Sequence, residues 1–380
     1  MGLSPNLAAF RAEMDAATRR CAFLDHAAIA PLSRRVREAM ARFLDCRGSN
    51  DERLTDYMTI GERLRAAAAR LIGATTEEIA IVQNTSHGLN LVAQSLPLRP
   101  GDNVIFCDME FPSNVYPWML LERQRRVEAR CIPHDGGGLT LEALEAHADE
   151  RTRVVAVSSV EFLTGFRTDL PALGQWCRQH GVFFVVDGIQ SLGAAPLDVR
   201  ECAIDFLAAG GAKWLMGPVG VGFLYVRREL LDRIAPPMAG CISVVDYENW
   251  RDYHLTFLPD ASRFHLGGMN FDGIIGLLAS IELLMETDIA AIHTHTLHLT
   301  DRLIADLTQR GYRIISNLAP ERRSAIVTFA VPGDPLQAHA RLKQAGVIVS
   351  LREGFIRVSP HGYNVEEEVA RVGQVLGDAW

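Results

Sequence analysis

The chain has 380 residues, 48 % of them hydrophobic and 22 % charged, with a net charge of -8. That is room for two packed domains, and it excludes a disordered or fibrous chain. No Lys/Arg tract is present and no run approaches the ~20 apolar residues of a membrane span, so nucleic acid and membrane are not expected partners.

The first twenty residues lack the apolar core of a signal peptide. Seven cysteines lie scattered without a C-x-x-C pair. The odd number fits reduced thiols and a cytoplasmic protein better than disulfides or zinc. Residues 7–20 read as an N-terminal segment. Strands are predicted at 79–82, 103–107, 154–158, 182–187, 206–209 and 222–226, with helices at 89–96 and 170–180. Apolar residues run unbroken through several of these strands, as in a mostly parallel sheet covered on both faces. After Gly273 the pattern changes. Helices at 274–285 and 289–310 precede strands at 325–330 and 347–350 and a last helix from Val365. Residues from about 275 read as a smaller α+β domain, with the N-terminal segment packed near it.

Three segments carry candidate chemistry. Phe206-Leu-Ala-Ala-Gly-Gly-Ala-Lys213-Trp-Leu-Met-Gly-Pro218 places one lysine after a buried strand and a Gly-Gly turn. Small neighbours let a bulky group approach, and desolvation favours the neutral, nucleophilic amine. A surface loop lysine is the plain alternative. Val182-Phe-Phe-Val-Val-Asp187-Gly-Ile-Gln190 ends a strand in an acid, where open α/β sheets bind ligands. A carboxylate there can keep a cofactor's ring nitrogen protonated, with Gln190 one short turn on; otherwise Asp187 only caps a helix. Asn84-Thr85-Ser86-His87-Gly88 sets hydroxyls at a helix start, either a phosphate site or a plain N-cap.

In this order the segments resemble the class V aminotransferase-fold enzymes: cysteine desulfurases, kynureninases, isopenicillin N epimerase and related C–S lyases. The resemblance runs from Phe23-Leu-Asp-His26-Ala-Ala28 through Met109-Glu-Phe111-Pro-Ser-Asn114 and Arg263-Phe-His-Leu-Gly-Gly268-Met-Asn270 to Arg357-Val-Ser-Pro-His-Gly-Tyr-Asn364. It implies an α/β fold of type I, with a mostly parallel seven-stranded sheet in a large domain at 21–274. Residues 1–20 and 275–380 then form the small domain. It further implies pyridoxal phosphate (PLP) held by Lys213 as a Schiff base, with Asp187 on the ring nitrogen and Phe111 over the ring. Thr85, Ser86 and Gln190 would be further cofactor contacts. Arg357 would hold an amino acid substrate's carboxylate, with His26, Ala28 and Asn114 lining the substrate. The loop with Gly268 would reach a neighbouring subunit's phosphate, hence a homodimer.

The sequence also departs from that pattern. Ala212 stands where a phosphate-binding histidine is common, Gly210 where desulfurases often have serine, and Gly268 where a threonine meets the phosphate. Desulfurases carry a nucleophilic cysteine on a loop before the arginine; here 349–357 leads directly to Arg357, and no cysteine follows Cys241. The expected reaction is therefore a β-eliminating C–S lyase and not a cysteine desulfurase. Transamination or epimerisation on the same scaffold stays open, as does a non-catalytic relic. No metal is expected: His293, His295 and His298 sit at spacings that do not share a ligand on a helix. Arg352 is either a second anion contact or a surface charge.

Overall fold

The computed structural model describes residues 3–49 and 57–379. Its main sheet has seven strands, in the order Ile79–Val82, Gly222–Val226, Phe206–Gly210, Phe183–Asp187, Thr152–Ser158, Asn103–Cys107 and Glu128–Ile132. Gly222–Val226 runs antiparallel to both neighbours; the other pairings are parallel.

The unbroken apolar runs follow from this position. Along a strand, alternate side chains face opposite sides. Val155, Val157, Phe184, Val186 and Leu207 enter one core with Leu277 and Ile281. Val154, Ala156, Val185, Phe206 and Ala208 enter another with Leu89 and Trp118. The seventh strand, Glu128–Ile132, has no counterpart among the six read from apolar runs. It lies at the sheet edge, and its Glu128 and Cys131 are exposed.

Helix Phe271–Thr287 covers one face, packed against Arg34–Ser49 and Tyr57–Ile72. Beyond it, an antiparallel sheet has the order Ser350–Arg352, Phe355–Val358, Val327–Ala330, Arg313–Ile314. Leu299, Leu303, Phe329, Leu342, Ile356 and Val372 fill its core. The predicted strand 347–350 divides in two. Val347–Ile348 pairs in parallel with Ala22–Phe23, whereas Ser350–Arg352 pairs with Phe355–Val358, so the chain changes partner at Val349. The N-terminal segment meets this end of the protein: Arg11 Nη1 donates to the Tyr363 carbonyl at 2.8 Å, and Nη2 pairs with Glu368 at 2.8 Å. The helix predicted from Leu89 begins at Thr85, because the Asn84 side chain caps it by accepting from His87 N at 2.9 Å. No helix among the described residues is long and apolar enough to cross a membrane.

Candidate active site

Asp187 ends its strand opposite Ala208, and the next strand runs on through Gly210 to Lys213. The lysine loop is closed by its own backbone. Gly211 N donates to Val221 O at 2.8 Å, Gly217 N to Gly211 O at 2.8 Å, and Met216 N to Lys213 O at 2.9 Å. A Cβ on Gly211 would lie 2.8 Å from the end of the Leu277 side chain and 3.1 Å from the Val221 carbonyl, so the loop packs closely on helix Phe271–Thr287. The sequence holds two lysines, Lys213 and Lys343, and Lys343 is exposed on helix Pro335–Gln344. With arginine making up nearly all of the other cationic positions, the single lysine at this strand end is a stronger signal than its local motif alone.

Lys213 is half-buried. Burial depresses its pKa to about 8; Arg357 and Arg352 press the same way, against Asp187 and Asp25. Its Nζ lies 5.5 Å from the centre of the Phe111 ring. Phe111 is 41 % exposed and packs edge-on to Phe162 at 5.2 Å. The Phe162 carbonyl in turn accepts from Arg357 Nη1 at 2.7 Å. Lys213, Phe111, Phe162 and Arg357 thus form one connected line.

The residues fit PLP on three observations. Asp187 is buried, and one of its oxygens accepts from Ile189 N at 2.9 Å. The other accepts no hydrogen bond among the described residues and is available to a protonated ring nitrogen. Burial raises the Asp187 pKa to about 6, while the Ile189 N–H and Lys213 oppose the rise. At the helix start, Thr85 Oγ1 accepts from Gly210 N at 2.9 Å and keeps its own proton to donate. Ser86 Oγ lies 2.7 Å from Ser113 Oγ, a hydroxyl the sequence reading did not single out. The backbone N–H groups of this first turn lack helical acceptors. A Cβ on Gly210 would meet Ile189 and Thr85 only at 3.5 Å, so the missing serine leaves space at the cradle.

Gln190 is engaged at both ends of its amide: Nε2 donates to Ala27 O at 3.2 Å and Oε1 accepts from Trp214 Nε1 at 2.8 Å. One amide hydrogen remains for a cofactor oxygen. Arg357 is 2 % exposed. Its Nη2 reaches Ser350 Oγ at 3.3 Å and Asp25 Oδ1 at 3.6 Å, and Ser350 Oγ donates to Asp25 at 2.6 Å. Its Nε is buried without a partner. Burial lowers this guanidinium's pKa to about 10, well above the neutral range, so it stays charged. Asp25, Phe162 and Ser350 come from three distant parts of the chain, and no sequence motif joined them to Arg357.

His26 and Asn114 are not brought to the open face of the site. Both ring nitrogens of His26 are occupied, by Ser359 O and Tyr363 OH at 2.9 Å each, within a layer of His361, Trp214 and Tyr363. Asn114 is fully buried, donating to Glu110 at 2.9 Å. Glu110 also accepts from Ser158 Oγ at 2.7 Å and so ties the Phe111 turn to the strand end beside Asp187. Ala28 is partly exposed in the turn that begins at Asp25, whose following Ala30 N bonds Ala212 O at 2.9 Å. Gly268 is exposed, on the wall of a 480 Å³ cavity with Asn84 and His87. A larger cavity of 580 Å³, lined by Arg70, Ser159 and Arg322, lies apart from Lys213. His293, His295 and His298 turn to three different partners, Arg167, Asn364 and Glu366. The donor atoms of Cys107, Glu110 and Glu161 lie within 4.8 Å of one another, but Glu110 is occupied by Asn114 and Ser158.

Residues 22–372 match the family described as aminotransferase class-V. The chain is 30 % identical to the "Probable cysteine desulfurase" of Methanothermobacter thermautotrophicus, covering 93 % of each. Among solved structures, the cysteine desulfurase CsdA of Escherichia coli superposes with a TM-score of 0.88 at 25 % identity over 98 % of both chains. A C-DES variant with glycine covalently linked to its PLP cofactor gives 0.88 at 21 % identity, over 97 % of this chain and 99 % of that one, a likeness of fold.

Proposed function

The chain belongs to the class-V aminotransferase family of PLP-dependent enzymes, and from that premise we propose that it cleaves a C–S bond at the β-carbon of an amino acid by elimination, without a thiol of its own. Bound PLP supplies an aldehyde for the substrate's amino group and a ring that draws electrons from Cα. Asp187 would hold the charge that keeps the ring nitrogen protonated. Arg357 orients the substrate through its carboxylate. Lys213, neutral above about pH 8, takes the Cα proton. The Phe111 and Phe162 rings keep water from that transfer. The Cβ–S bond breaks with its electron pair leaving on sulfur; hydrolysis of the remainder gives a keto acid and ammonia.

The observation that carries this reading is the hairpin before Arg357. Ser350–Arg352 and Phe355–Val358 are joined by Glu353-Gly354 alone, with φ of 47° and 79°, so the connection leading to the arginine holds no long loop and no cysteine. Cys107, Cys177 and Cys202 are buried. A second reading, sulfur transfer through a protein persulfide, is favoured by the relatives' names and by the exposure of Cys241, whose Sγ lies 3.6 Å from Leu266 O. Incubation with L-cysteine followed by mass spectrometry separates the two. Free sulfide and pyruvate with unmodified cysteines support elimination, and a turnover-competent persulfide on Cys241 replaces it with the second reading. We also propose a homodimer, supported by the exposure of Val219, Trp250 and Tyr253; light scattering at the mass of one chain refutes it.

A further inference from the structure

In the hairpin that carries Arg357, Ser350 stands opposite Arg357 and Arg352 opposite Phe355. Side chains two residues apart on a strand share a face, and directly opposed residues project to the same side. Ser350, Arg352, Phe355 and Arg357 therefore line one face. It is the face of the site: Arg357 reaches Ser350 across it, and touches the Phe162 carbonyl beside Phe111. Arg352 lies one strand repeat, roughly 7 Å, farther out, and is exposed at the rim.

Its charge is not matched by protein. Arg352 Nη1 donates to the Leu351 carbonyl at 3.1 Å, and among the described residues no carboxylate lies within ion-pair distance. Asp25 serves Arg357, and Asp187 faces the Lys213 end. Arg352 nonetheless acts on the centre, since it contributes to the lowered pKa of both Lys213 and Arg357. An unmatched guanidinium at the rim, outward from the carboxylate site, suits a ligand that brings a second negative charge.

We infer that Arg352 is a specificity-determining residue that receives a second anionic group, carried on the side chain of an amino acid whose α-carboxylate is held by Arg357. The substrate class is then a dianionic amino acid, such as a cysteine S-conjugate ending in a carboxylate. This rests on the proposed role of Arg357 and adds the chemistry of the tail.

The test compares S-carboxymethyl-L-cysteine with the neutral S-propyl-L-cysteine on the PLP-loaded enzyme. Dissociation constants come from the visible spectrum and from calorimetry, and turnover from keto-acid release. The wild type is expected to prefer the carboxymethyl compound by roughly tenfold, as for a charge-assisted contact. Arg352→Gln should abolish the preference of the carboxymethyl over the propyl compound, read as the ratio of their KM values, and Arg352→Glu should reverse it. Equal affinities in the wild type, or an undiminished preference in Arg352→Gln, overturn the inference. So does a variant that changes the sedimenting species but not the selectivity, which makes Arg352 an interface residue. Arg357→Ala reports separately: unchanged affinity for both ligands there defeats the Arg357 reading, whatever Arg352 does.

Discussion

Two cations of the site, Lys213 and Arg357, both have their pKa values lowered by desolvation but are held differently. The Lys213 amine makes no hydrogen bond among the described residues, sits over the Phe111 ring, and has its pKa lowered to about 8. Arg357 is gripped by the Phe162 carbonyl, Ser350 and Asp25, and at about 10 remains charged throughout the neutral range. An amine freed of partners can lose its proton and form a covalent bond. A guanidinium held at both Nη atoms keeps its charge and direction, and can only bind. The same burial thus yields a reactive group at one end and a fixed anchor at the other.

The largest test of this contrast removes the reactive end. Lys213→Ala should abolish turnover within detection. In the wild type, borohydride reduction with PLP should fix the label to the peptide containing Lys213, and mass spectrometry then decides between the two lysines of the chain. Label on Lys343 would assign the reactive role to the wrong residue.

Asp187→Asn should lower kcat by about 10²–10³-fold, as for loss of a preorganised charge at the reacting centre, while PLP still binds. It should also stabilise the cofactor-free protein. The folded pKa of Asp187, raised from 3.8 to about 6, means that the fold accepts the neutral carboxyl. That contribution is complete below 3.8 and lost as pH rises through about 6. The asparagine variant should match the wild type near pH 3.8 and exceed it by up to about 3 kcal/mol above pH 6. Equal melting temperatures at pH 7.5 would show that Asp187 is solvated as an ion.

At the anchor, Arg357→Ala should raise KM by roughly 10–100-fold and lower kcat with it; Arg357→Lys should recover only part, lacking the planar fork. Full recovery by lysine would mean that charge alone suffices. The smallest effect is a shift in pH. In cofactor-free protein, aldehyde labelling of Lys213 should reach half its maximum near pH 8, and Asp187→Asn should move that midpoint lower, because Asp187 favours the charged amine. A midpoint near 10.5 would place Lys213 in water.

The lysine end was legible in the sequence because its parts are close along the chain and share one construction. Asp187, Gly210 and Lys213 lie at or just past the ends of adjacent strands whose unbroken apolar runs announce burial. The charged edge strand Glu128–Ile132 was not, since an edge needs no second apolar face. His26 shows the limit of a motif: it lies in the most recognisable N-terminal stretch, yet Ser359 and Tyr363, more than 330 residues away in sequence, take both its nitrogens.

From the sequence alone come the parallel sheet and the placing of Lys213 and Asp187 at strand ends, because strand burial and local turn chemistry are written in residues a few positions apart; Arg357 was singled out only by resemblance. Tertiary structure alone decided what surrounds them. Asp25, Phe162 and Ser350 converge on Arg357 only once three separated segments fold together. The pKa of Lys213 likewise depends on desolvation and on four charges drawn from across the chain, and neither distance nor dielectric exists until the chain is packed.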